Sequence, residues 1–352
     1  MTEASAKQVT ALLKGVSRSF YLTLRVLPGK VRPQIGVAYL LARTTDTIAD
    51  TELVPVDERL GALHALRDRI LGLRTAPVSF GKLLEGQSSP DEQVLLERCE
   101  DSVASMNSLT AEDLQFVREV LGTIISGQEL DLRRFGSVLG SRIAALRTDQ
   151  ELEDYIYRVA GCVGEFWTRI CRARLFPHAS LDDKFLLTSA VQFGKGLQLV
   201  NVLRDLPRDL RRHRCYLPAE GLSDLGLKPD DLLDPSQEPR LRPLFDAYVD
   251  RAETYLRAGW AYTNGLPRNQ MRVRLACAWP ILIGIDTLTL LRQGKVLNPS
   301  TRIRVERGKL RQRMWRSIWL YPWADAWQRM VPPGPESPAG HGKPVASKGF
   351  LI

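Results

Sequence analysis

The chain has 352 residues, 44% hydrophobic and 25% charged, with a net charge of +9, a balance that supports a buried core and an enclosed pocket and excludes a largely disordered chain. The polar start, residues 1–8, lacks a charged-then-apolar export pattern, and the longest apolar run, residues 275–285, is interrupted by Pro280 and falls short of the roughly 20 residues of a bilayer span. Five scattered cysteines (Cys99, Cys162, Cys171, Cys215, Cys277) form no CxxC pair, so neither a disulfide framework nor a zinc site is expected, and a reducing, cytoplasmic compartment fits best.

Helical periodicity predicts helices near 5–20, 33–50, 57–72, 91–106, 111–135, 149–173, 182–205, 240–263 and 270–293, with loops at 73–90, 174–181 and 206–239. Period-2 runs of β-branched residues are missing, so the fold class is all-α. Gly194 and Gly196 lack a third glycine and a preceding strand, which removes a Rossmann dinucleotide site. The organisation expected is one helical domain over residues 1–300, a basic Trp-rich segment over 301–330, and a Pro/Gly/Ser-rich disordered tail over 331–352. Between Thr301 and Met330 there are eight Arg/Lys against two acids, and four of the seven tryptophans (Trp315, Trp319, Trp323, Trp327) stand at steps of four. This pattern suits a peripheral membrane surface, with Pro322 interrupting the stripe; the alternative is tryptophans packed on the helical core. Nucleic acid is disfavoured, because the basic cluster is local and no motif accompanies it.

Asp46 and Asp50, and again Asp205 and Asp209, are four apart, so each pair shares a helix face. Magnesium takes a few carboxylate oxygens together with substrate phosphate oxygens, and two such faces opposed across a bundle can hold a diphosphate between ions. The spacing alone means little, because Asp230/Asp234 and Asp246/Asp250 repeat it. Context separates the first two pairs. Asp46 and Asp50 follow the apolar run 35–42 and share a face with Tyr39 and Arg43; Gln198, Asn201 and Asp205 lie on one face of the apolar stretch 193–203. Pro207 is expected to bend or end that helix, leaving Asp209 the least anchored of the four.

At these residues the chain resembles the squalene/phytoene synthase family over about residues 8–300. The resemblance is carried, in order, by Ser17-Arg18-Ser19-Phe20, by Tyr39 to Asp50 (YLLARTTDTIAD), by Tyr155 to Gly164 (YIYRVAGCVG), by Gln198 to Asp209 (QLVNVLRDLPRD) and by Tyr216-Leu217-Pro218. It implies a single-domain isoprenoid-synthase helical bundle with a central cavity, residues 1–300 forming the catalytic domain. It also implies magnesium held by Asp46, Asp50, Asn201, Asp205 and Asp209. Arg18, Ser19, Phe20, Tyr39, Arg43, Gln198, Arg204 and Tyr216 would bind the substrate diphosphate or order the site; Tyr155 matches the family tyrosine associated with proton handling, and Val159 and Val163 would line the prenyl tunnel. The family often carries an acid before the last aspartate of each motif; here Ala49 and Arg208 stand there.

Within that family the sequence is most similar to squalene synthases, because Cys277-Ala278-Trp279-Pro280 and the triplet Arg302-Ile303-Arg304 match a pattern whose arginines contact NADPH. The expected reaction is therefore head-to-head coupling of two farnesyl diphosphates through presqualene diphosphate, with reduction to squalene. The alternatives are siblings that do not reduce (phytoene, dehydrosqualene, hydroxysqualene or presqualene diphosphate synthases). Outside them stand a terpene cyclase, for which residues 17–20 would have no counterpart, and a non-catalytic assembly factor, against which both retained aspartate pairs argue. The sequence leaves the oligomeric state open and is compatible with a monomer.

Overall fold

The computed structural model describes residues 20–87, 89–136, 142–300 and 303–331. After a short helix, Phe20–Val26, the longer helices are α1 (Arg32–Asp50), α2 (Val56–Leu71), α3 (Ala111–Phe135), α4 (Asp149–Ile156), α5 (Cys162–Leu175), α6 (Asp183–Arg211), α7 (Glu238–Gly265), α8 (Met271–Gln293), α9 (Arg307–Leu320) and the short α10 (Ala324–Gln328). Helix starts follow local chemistry. Pro33 opens α1, where its missing N–H costs nothing. Thr110, Thr148 and Asp182 cap α3, α4 and α6 by accepting from the backbone N–H groups of Asp113, Glu151 and Phe185. The predicted helix at 91–106 is instead two, Pro90–Glu97 and Cys99–Ser105, divided at Arg98. The predicted helix near 5–20 lies outside the described residues apart from its last position.

Between α4 and α5 the chain forms one π-helical turn, Tyr157–Gly161. Such turns add a residue to the helical repeat and re-aim the side chains that follow. Glycines let α6 approach this region backbone to backbone. A Cβ on Gly194 would lie 2.2 Å from the Ala160 carbonyl oxygen, and one on Gly164 would lie 2.0 Å from that of Ala190. Gly194 is therefore a packing residue, which is what remains once a dinucleotide loop is excluded.

Helix α6 corrects the sequence reading. It runs through Pro207 to Arg211 rather than ending near 205. Leu206 and Leu210 are each 2% exposed, and burying two leucines at about 1.5–3 kcal/mol each offsets the roughly 3 kcal/mol penalty of an interior proline. The expected loop 206–239 likewise contains a further helix, Ala219–Asp224. After α6, His213 adopts a left-handed φ of 57°, and the reversed chain pairs Arg214 and Cys215 in parallel with Ala144 and Ala145. That two-residue ladder is the only strand pairing among the described residues.

The core has two main parts. Helices α6, α7 and α8 enclose one, with Leu203, Phe245, Leu256 and Ile281 at its centre; α1, α2 and α3 enclose the other, with Leu41, Leu63, Leu66 and Leu121. Helix α8 is long and apolar enough to cross a bilayer, yet 67% of its most apolar window is buried within the bundle. All five cysteines are free and buried. The segment after residue 303 packs on the same core, into which Trp327, Met330 and Val331 insert. The expected disordered tail, apart from Val331, lies outside the described residues.

Candidate active site

A cavity of about 450 Å³ opens between α1, α3, the α4–α5 junction, α6 and the chain that follows it, within the size range of small-molecule sites. Asp46, Asp50, Asn201, Asp205 and Asp209 all line it, so the two aspartate pairs share one chamber. Tyr39, Arg43, Tyr155, Val159, Val163, Gln198 and Tyr216 line it as well. The other two pairs are occupied elsewhere. Asp230 accepts from the Ile143 N–H, Asp234 from the Ser236 N–H and hydroxyl, Asp246 meets Arg242, and Asp250 meets Arg292.

On α1, the Arg43 guanidinium lies between Asp46 and Glu92, 2.5 Å from each. Burial and the charge of Asp50 push the Asp46 carboxyl up to about 6, against the pull of Arg43. The Asp46 side chain is 44% exposed, because it faces the cavity while the bundle closes round it; a small ligand reaches it where bulk water solvates it poorly. On α6, Asp205 takes two hydrogen bonds from Arg204, at 2.8 and 3.0 Å, and one from Arg208 at 3.2 Å. Arg208 also stands 3.6 Å from Asp209. Burial raises the Asp209 carboxyl to about 6, Arg208 opposing and Asp205 adding to the shift. Arg208 thus stands astride the second pair, in the position where the family often has an acid.

At one wall Tyr155 and Tyr216 stack, centroids 4.7 Å apart. Gln198 donates to the Tyr155 oxygen at 3.2 Å, and the Tyr216 hydroxyl donates to Asp131 at 3.0 Å. The stack sets Tyr155 beside the Tyr216 phenol, whose single proton is spent on Asp131. The result is a line of neighbours, Gln198, Tyr155, Tyr216 and Asp131, joined at its middle by ring stacking. Burial, opposed by Arg214, lifts the Asp131 carboxyl to about 6; burial and Asp131 together push the Tyr155 phenol well above its ordinary range. Arg214 lies 3.7 Å from Asp131 and 4.0 Å from both Asp50 and Glu52.

Hard oxygen donors without a preformed cage suit a magnesium ion that completes its shell with phosphate oxygens. The chamber matches that description. Among the described residues no three carboxylate, histidine or cysteine groups cluster tightly enough to hold a metal by themselves, while Asp50 keeps half its side-chain surface open, with Arg214 no closer than 4.0 Å.

Not every predicted residue reaches the cavity. Arg204 does not line it and instead braces Asp205. Arg304 is exposed and away from the lining, so it is not placed for a cofactor bound in this chamber. Arg18, Ser19 and Arg302 lie outside the described residues, as does the Phe20 side chain. Residues that the sequence reading did not single out include Asp131, Gln128 and Ile124 on α3. Their helical spacing 124–128–131 is visible in the sequence, yet Asp131 lies among Glu129, Arg133 and Arg134 and there looks like one more surface charge.

The fold and chamber define an all-helical protein with two carboxylate-bearing helix faces turned toward one apolar-backed pocket. The squalene/phytoene synthase model matches residues 13–309, and the chain belongs to that family. It is 29% identical over 256 residues to the 15-cis-phytoene synthase of Synechocystis sp., covering 71% of this chain and 65% of that protein. It is also 30% identical over 233 residues to a bifunctional lycopene cyclase/phytoene synthase of Colletotrichum graminicola, covering 64% of this chain and 37% of that longer protein. Among solved structures, a ligand complex of TcSQS superposes with a TM-score of 0.71 at 21% identity, covering 90% of both chains. At that identity the likeness shows a common fold, the all-α architecture expected from the sequence.

Proposed function

We propose that the chain is a magnesium-dependent prenyltransferase that joins two prenyl diphosphates head to head without reduction, as a phytoene- or dehydrosqualene-type synthase. The observation that carries this reading is the convergence of Asp46, Asp50, Asp205 and Asp209 on one cavity whose walls include Ile124, Leu132, Val159, Val163 and Val202. Magnesium, held by Asp46, Asp50, Asn201, Asp205 and Asp209, would draw charge from a departing diphosphate. Arg43, Arg208, Arg212 and Arg214 line the same end and suit the phosphate oxygens. The apolar walls keep water from the allylic cation, and Tyr39 and Tyr155 present ring faces worth about 0.5–2 kcal/mol each to it.

Loss of a proton ends a non-reductive coupling, and the wall of stacked phenols offers its acceptor. Asp131 lines the cavity and is held by Tyr216 beside Tyr155, so its carboxylate is the group on this wall that takes the proton. The choice of a non-reductive product rests on the relatives named phytoene synthase and on the position of Arg304 outside the cavity lining. It replaces the squalene expectation as the favoured reading.

The test is product analysis by mass spectrometry with farnesyl or geranylgeranyl diphosphate and magnesium, each with and without NADPH. A coupled hydrocarbon unchanged by NADPH is expected. Conversion to squalene when NADPH is added would restore the reductive assignment. No coupled product from either substrate would leave the non-catalytic reading. Asp46→Asn and Asp205→Asn should each lower turnover by at least about 10³-fold with helicity intact; full activity in either variant would remove the metal assignment.

A further inference from the structure

Three indoles of the C-terminal helices stand in solvent. Trp315, Trp319 and Trp323 are 68%, 73% and 57% exposed, whereas Trp327 is buried against Trp260. The four-residue stripe thus divides, the last tryptophan joining the core. Helix α9 is fixed in this orientation from its other side. Ser317, fully buried, accepts from the Trp279 indole at 3.0 Å, and Arg313 is paired with Asp286. The exposed indoles are therefore held outward by a docked helix.

The charge on α9 itself has one sign. Helix α9 contains no acid, and Arg307, Lys309, Arg311 and Arg316 are exposed. No ion pair links these four to other described residues. Arg311, Trp315 and Trp319 follow one another at four-residue steps on one face, with Arg316 beside them. Indoles at the level of lipid headgroups, flanked by arginines and without acids, are the composition of an interfacial helix.

We infer that the α9 face bearing Trp315 and Trp319, together with Trp323, docks on an anionic lipid bilayer, the indoles entering the headgroup layer and the flanking cations meeting lipid phosphates. Acidic protein surfaces match the charge but do not call for two projecting indoles on one helix face with a third exposed just beyond it. The inference is independent of the reaction proposed above, because vesicle binding is read without substrate.

The full chain should float with vesicles containing about 30% phosphatidylglycerol, should bind phosphatidylcholine vesicles at least about tenfold more weakly, and should blue-shift its tryptophan emission on binding. Changing Trp315, Trp319 and Trp323 together to Ser should lower partitioning by at least about tenfold with an unchanged melting temperature. Arg311→Glu with Arg316→Glu should weaken binding to the anionic vesicles and leave the weak neutral-vesicle binding as it is. Absence of wild-type flotation, or flotation untouched by the triple variant, would overturn the inference. So would a wild-type dimer that the triple variant converts to monomer without any vesicle binding, since the face would then belong to a second copy.

Discussion

Asp131 shows how a single side chain can matter to a cavity through other residues. Its Oδ2 accepts from Tyr216, while its Oδ1 is buried without a hydrogen-bond partner in the protein. Asp131→Asn keeps the size of the group but removes the charge that faces Arg214 and ends its capacity to take a proton. Tyr216→Phe removes the hydrogen bond that holds it. If that carboxylate takes the product-forming proton, each change lowers kcat by about 10²-fold while the KM for diphosphate stays within about twofold. A rise in KM at constant kcat would instead assign Asp131 to the placement of Arg214. None of this was legible from Asp131 alone. By contrast, Asp46 and Asp205 announced themselves, because acids within long apolar helices need a reason to be there. Arg204 orders the site by bracing Asp205 rather than by lining the cavity, a choice the sequence left open because an arginine motif specifies a charge but not the direction of a long side chain.

Helix positions followed periodicity closely where packing and pattern agree, as in α1, α3 and α8. They failed where burial overrides a local signal. Pro207 reads as a terminator, yet Leu206 and Leu210 carry α6 past it and keep Asp209 on the stripe that Asp205 begins. The π turn at Tyr157–Gly161 leaves no trace in periodicity, since it depends on how closely α6 approaches. That approach can be tested. Gly194→Ala places a methyl group 2.2 Å from the Ala160 carbonyl oxygen, and should destabilise the fold by about 1–3 kcal/mol or more in denaturant titration. It should also disturb catalysis, because Val159 and Val163 follow the turn into the cavity. Wild-type stability for this variant would mean that the helices separate easily there.

For the whole molecule, three cavity carboxyls titrate near 6, above the ordinary aspartate value of 3.8. The folded chain then holds more protons than the unfolded one between these values. Their contribution to stability is full below about pH 4 and is lost as pH rises through about 6. If magnesium binds with diphosphate as proposed, it would require ionised Asp46 and Asp209, so its effect would have the opposite sign. The rise in melting temperature on adding both should be larger at about pH 8 than at about pH 5, and chelation should abolish it. An equal rise at both values would remove these carboxyls from the binding site.

The position of Arg208 has a consequence for how the chamber fills. Its guanidinium shares Asp205 with Arg204 and stands 3.6 Å from Asp209, so positive charge already sits beside both carboxylates. On the proposed function, occupancy would be an exchange, in which Arg208 gives up the carboxylates to the cation and its charge serves the incoming anion.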